Sequence, residues 1–84
     1  MNEVFYSKKA AKQLRKLQPS DSKEIREECK KLKDMPNCAN VTALVDHKYP
    51  YRLRTGRFRV FFEFDGAARI VSIEEVKIRN ERAY

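Results

Sequence analysis

Eighty-four residues fit one small domain, here expected over residues 1–84, with a modest core. Lysine and arginine number 19 against 12 acidic residues, so the formal net charge is +7 and the partner to expect is polyanionic, a nucleic acid or an acidic protein. There is no apolar run of membrane-spanning length, no signal-peptide core in MNEVFYSKK, and two cysteines with one histidine make neither a disulfide framework nor a zinc set. The expectation is a cytoplasmic, reduced chain with no metal, no cofactor and no membrane association.

In chain order, Asn2 to Tyr6 reads as a first strand, with Val4 and Tyr6 on one side and Phe5 on the other. Ser7 is placed to cap a helix over Lys8–Leu17, where Ala10, Ala11, Leu14 and Leu17 recur at helical spacing among basic residues. Gln18-Pro19-Ser20 interrupts it. A second helix is expected from Asp21, with Glu24 as its capping-box partner and Ile25, Cys29 and Leu32 as its apolar stripe. Cys29 on that stripe reads as a small core residue, not a nucleophile. Met35-Pro36-Asn37 ends the helix, and the pair of helices should lie across one face of a sheet.

Cys38 to Pro50 carries the weakest pattern. Val41, Ala43, Leu44 and Val45 suggest a short buried turn or strand, and Pro50 excludes a regular interior-strand position. Histidine is the residue type suited to general-base work near neutral pH, but His47 in this loop has no visible partner, so it and Lys48 are secondary site candidates.

Tyr51 to Phe64, YRLRTGRFRVFFEF, is the strongest β signal. Arg52 and Arg54 share one face of its first strand, opposite Tyr51 and Leu53. Thr55-Gly56 supplies the turn. Phe58, Val60, Phe62 and Phe64 then fall on one side, and Arg57, Arg59, Phe61 and Glu63 on the other. The arginine face is either an ordinary wet sheet face or an anion site, since guanidinium groups fork onto phosphate oxygens. Asp65-Gly66 marks another turn, and Ala67 to Val76 a last strand whose alternation is imperfect. The expected fold is α+β: a βααβββ order, two helices packed on a mostly antiparallel sheet.

If RNA is the substrate, metal-free cleavage requires deprotonation of a 2′-hydroxyl, stabilisation of the phosphorane and protonation of the 5′-oxygen. Arginines suit the second task. A tyrosine, with an ordinary pKa of about 10, becomes a base only where nearby cations favour its phenolate. No carboxylate pair has the look of a two-metal nuclease site, and no glycine-rich phosphate loop is present.

YRLRTGRFRVFFEF, together with the terminal VKIRNERAY, resembles the RelE/ParE family of toxins from bacterial toxin–antitoxin systems, and its RelE-like branch in particular. That branch shows a YR-(L/I)-R hairpin strand followed by G-x-(Y/F)-R-V, with a basic segment closing on Tyr, and the resemblance covers nearly the whole chain. It implies a ribosome-dependent mRNA endoribonuclease whose partners are a cognate antitoxin and the ribosome with mRNA in its A site. By position, it implies that Arg59 steadies the scissile phosphate and that Tyr84 is the general base. Arg79 is then the best match to the basic residue shortly before that tyrosine, although Ile78 stands where an ungapped match would be basic. Arg52, Arg54, Lys77 and Arg82 become RNA-binding residues. The alternatives on the same fold are ParE-like inhibition of DNA gyrase, and a non-catalytic basic module binding RNA or protein.

Overall fold

Period-two patterning dominates the second half of the chain. The computed structural model, which describes residues 1–78, turns it into one five-stranded sheet. In chain order the elements are β1 (Glu3–Tyr6), α1 (Lys8–Arg15), α2 (Pro19–Lys30), a 3₁₀ turn (Lys31–Asp34), β2 (Val41–Ala43), β3 (Tyr51–Thr55), β4 (Phe58–Asp65) and β5 (Ile70–Ile78). The spatial order is β1-β5-β4-β3-β2. The three expected strands β3, β4 and β5 pair antiparallel in succession. The helices carry the chain back from β1, so that β1 lies parallel to β5 at one edge. The expected α+β architecture is therefore present, with β2 as an added short edge strand paired to β3. Among the described residues no helix is long and apolar enough to cross a membrane.

The core lies between the helices and one sheet face. Leu14 from α1, with Ile25, Cys29 and Leu32 beyond it, packs on Leu53, Val60, Phe62, Val71 and Ile73. Tyr51 stacks on Phe62 at 5.4 Å between ring centroids. Leu17 packs at the margin of this cluster. Cys29 is fully buried, and burial pushes its thiol up to about 11, which suits a core residue.

Several boundaries differ from the sequence reading, each for a local reason. Pro19 occupies the first turn of α2, where a missing N–H costs nothing, so the helix starts before Asp21. The Asp21–Glu24 capping box does not form. Asp21 instead pairs with Arg57 at 3.2 Å, and Glu24 reaches Thr55 at 3.5 Å. The hairpin turn is Gly56-Arg57, one residue later than expected, with Gly56 at φ +54. A side chain there would be strained, and its Cβ would meet the Glu24 carboxylate at 3.0 Å. The stretch 41–45 is not buried: β2 lies at the sheet edge and Val45 is 84% exposed. β5 starts at Ile70, because Asp65 accepts from the Ala68 N–H and Arg69 takes positive φ in a longer turn.

The imperfect alternation of the last strand has a physical cause. Phe61 pairs with Glu75 and Phe62 with Ile73, leaving Glu74 as the extra residue of a β-bulge. Helix α1 takes up the backbone groups this displaces. The Ser7 hydroxyl donates to the Glu74 carbonyl at 2.9 Å while accepting from the Ala10 N–H at 3.0 Å, and Gln13 Oε1 accepts from the Val76 N–H at 2.7 Å. Before the bulge, Val71 and Ile73 face the core; after it, Val76 does. Glu75 and Lys77 are thereby turned to the other face.

Candidate anion-binding face

The sheet face away from the helices is built in rows. One row runs Arg54, Arg59, Lys77 across β3, β4 and β5, each directly opposite the next. The neighbouring row runs Thr42, Arg52, Phe61, Glu75. Like charges directly opposite each other destabilise a sheet. Three cations abreast therefore oppose the fold, and an anion laid across them would relieve that opposition. The Nε atoms of Arg52 and Arg59 are buried and have no hydrogen-bond partner among the described residues. Such donors are costly to leave unpaired and suit oxygen acceptors.

Glu75, 8% exposed, is the acidic member of these rows. Its carboxylate lies 3.4 Å from Lys9 Nζ and 3.8 Å from Lys77 Nζ. Burial alone would raise its pKa, but the Tyr49 hydroxyl and the Lys9 and Lys77 ammonium groups hold it below the usual carboxylate range. Burial raises the Tyr49 phenol, and the adjoining Glu75 raises it further. Glu75 is thus an ionised anchor that orients Lys77 from one side.

The 44–50 loop closes over Phe61. Asp46 takes positive φ, and His47 Nδ1 accepts the Tyr49 N–H at 3.0 Å. The imidazole stacks on Phe61 at 5.0 Å with planes 10° apart, and Tyr49 leans on the same ring at 5.8 Å. Phe61 is left only 5% exposed although its neighbours in the rows, Arg52, Arg59 and Glu75, are charged. Lys48 is drawn over the Tyr49 ring at 5.4 Å, to one side of the cationic row.

Of the residues expected at the site, Arg52, Arg54, Arg59 and Lys77 share this face, His47 borders it through Phe61, and Lys48 stands outside the row. Arg57, expected beside Arg59, is diverted by its ion pair with Asp21. Arg79, Arg82 and Tyr84 lie outside the described residues. Lys9, Tyr49 and Glu75 were missed as neighbours of the site. The break in alternation at Glu74-Glu75 was the available signal for Glu75; nothing local marks Lys9, which arrives from the first helix. Among the described residues no three His, Cys, Asp or Glu side chains stand together to hold a metal ion.

A small α+β sheet carrying two helices on one face and a cationic row on the other is the class this arrangement defines. Residues 4–83 match the family model described as the ParE toxin of type II toxin-antitoxin system, parDE, and the chain belongs to that family of toxins, within the RelE/ParE superfamily. The fold is also that of solved RelE structures. The RelE–RelB complex from Pyrococcus horikoshii OT3 is 22% identical over 95% of this chain and 97% of that one, with a TM-score of 0.80. The RelBE2 toxin–antitoxin complex from Mycobacterium tuberculosis is 20% identical over 93% and 98%, with a TM-score of 0.78. The isolated E. coli RelE toxin is 13% identical over 99% and 89%, with a TM-score of 0.80. At these identities the likeness is one of fold. No curated protein matches the chain in sequence.

Proposed function

We propose that this toxin is a ribosome-dependent mRNA endoribonuclease, a single toxin domain over residues 1–84 that acts in the cytoplasm and is restrained by a cognate antitoxin. The observation that carries the reading is the row Arg54, Arg59, Lys77, with the unpartnered Nε atoms of Arg52 and Arg59 beside it. Arg59, central in the row, is assigned to the phosphorane charge, and Arg52, Arg54 and Lys77 to the flanking phosphates. The 2′-oxygen attacks phosphorus and the P–O5′ bond breaks. Tyr84 is assigned the 2′-hydroxyl proton, and Arg79 protonation of the leaving oxygen, with Arg82 a further phosphate contact. The described face lacks a self-sufficient acid–base pair: Glu75 is held by two lysines, and His47 Nδ1 is already an acceptor for Tyr49. The ribosome is therefore assigned the task of orienting the message.

A second reading, ParE-like inhibition of DNA gyrase, is favoured by the family model that matches. The antitoxin is expected to be small and acidic, given the net charge of +7, and to fold as it binds. Primer-extension mapping of mRNA ends after brief induction separates the two readings. Cuts within translated codons support the ribonuclease. Intact mRNA with double-strand DNA breaks overturns it in favour of gyrase. Tyr84→Phe should slow single-turnover cleavage on saturating ribosomes by about 100-fold with little change in binding. A silent Tyr84→Phe would remove the tyrosine from proton transfer.

A further inference from the structure

Phe61 is out of place. It stands on the open sheet face directly between two charged residues, Arg52 on β3 and Glu75 on β5, where a polar side chain would suit a wet sheet. The chain then spends a loop on covering it. That loop holds the His47 ring parallel to Phe61 and fixes its plane through the Nδ1 bond to the Tyr49 N–H. His47 itself is exposed, so its far side is open to solvent. Tyr49 props the stack from the flank, and Lys77 Nζ sits over Phe61 at 6.0 Å. The result is an aromatic stack, rigid at its base and open at its top. It stands one strand-face step, about 7 Å, from Arg59 in the cationic row.

The parallel stack seals Phe61 and gains the ordinary stabilisation of an aromatic pair, and it leaves the outer face of the exposed imidazole free. A flat aromatic ring presented beside a row of cations is how single-stranded nucleic acid is held: bases stack on aromatic side chains while cations follow the backbone. We infer that His47, seated on Phe61 and Tyr49, is a platform on which one unpaired base of single-stranded RNA stacks while an adjoining phosphate lies on Arg59 and Arg54. This rests on the RNA reading above and adds a base contact to it. Stacking tolerates every base, so the platform contributes affinity and register more than sequence choice. His47 is a binding residue here, with no part in proton transfer.

The test uses the full chain and a short single-stranded RNA carrying 2′-O-methyl groups throughout, which cannot undergo attack by its own 2′-oxygen. It is titrated at low salt and followed by NMR. The His47 ring C–H resonances should move upfield, as protons beneath an aromatic base do, and the Arg59 Nε–H resonance should move downfield as it gains a phosphate acceptor. His47→Asn retains an acceptor for the Tyr49 N–H but has no ring, so it should weaken binding about tenfold while leaving the amide spectrum of the free protein in place. An abasic site at the stacked position should weaken binding of the native chain equally and that of His47→Asn no further. Arginine shifts without a His47 shift, or native affinity in His47→Asn, would overturn the platform and leave the cationic row standing. No response from either His47 or the arginines at millimolar RNA would overturn the row and the platform together.

Discussion

The two faces of the sheet are made by the same strands, residue by residue in alternation, yet they answer to different demands. On the helix side Leu53, Val60, Phe62, Val71 and Ile73 disappear under Leu14, Ile25 and Leu32. On the far side Arg54, Arg59 and Lys77 are held abreast, where their mutual repulsion works against folding. The first face is what stability alone would build. The second works against stability, and the proposed function supplies the anion that would offset that cost. Substitutions on the two faces should therefore separate, one set acting on folding and the other on function.

The largest effect belongs to the covered face. Phe62→Ala empties the centre of the core and should destabilise the protein by about 3–5 kcal/mol in denaturant melts. A loss below about 1 kcal/mol would mean that the two faces are not distinct in this way. On the open face, Arg59→Ala should lower single-turnover cleavage of ribosome-bound message by about 100- to 1000-fold. The same substitution should leave stability unchanged or raise it by up to about 1 kcal/mol. A folding defect as large as that of Phe62→Ala would collapse the comparison.

Arg54→Ala sharpens it further. On the proposed assignment of Arg54 to a flanking phosphate, the substitution should weaken RNA association and flatten the logarithmic salt dependence by about 0.7, with the cleavage step little altered. An unchanged slope would place Arg54 off the RNA path.

The smallest effect concerns Glu75, which ties the open face to helix α1 through Lys9. Its pKa is depressed in the folded protein, so the stability it contributes is present above the ordinary carboxylate value of 4.5 and is lost as pH falls through its lower folded value. Glu75→Gln should remove that share of acid sensitivity from pH-dependent melts while reducing stability slightly at neutral pH. An identical acid profile in both chains would show that the ion pairs with Lys9 and Lys77 contribute nothing measurable.

These faces were legible in the sequence to different degrees. The covered face was readable because burial enforces alternation: Phe58, Val60 and Phe62 on β4, and the helical spacing of Leu14, Ile25 and Leu32. The grouping of Arg52, Arg54 and Arg59 followed from the same periodicity, since a hairpin fixes which residues lie opposite. Lys77 was expected from the resemblance alone, because period two broke down ahead of it. Lys9 and Tyr49 reach Glu75 only through tertiary packing, from a helix and a loop far apart in the chain. The capping residues misled for a related reason. Asp21 and Glu24 look like a helix start, and one finds a better partner in Arg57 and the other lies against Thr55 and Gly56.

The bulge at Glu74 makes β5 a message written in two reading frames. Up to Ile73 the odd-numbered residues belong to the core face; from Glu75 onward they belong to the open face. The change of frame falls within a doublet of identical residues, Glu74-Glu75, so one glutamate could be removed there and Val76 and Lys77 would keep their present faces. Length variation at this point of the strand is thus silent for both the core and the cationic row. What it would disturb is the bond that Ser7 donates to the Glu74 carbonyl and the one that Gln13 Oε1 accepts from the Val76 N–H, which together fasten helix α1 to the strand that carries Lys77.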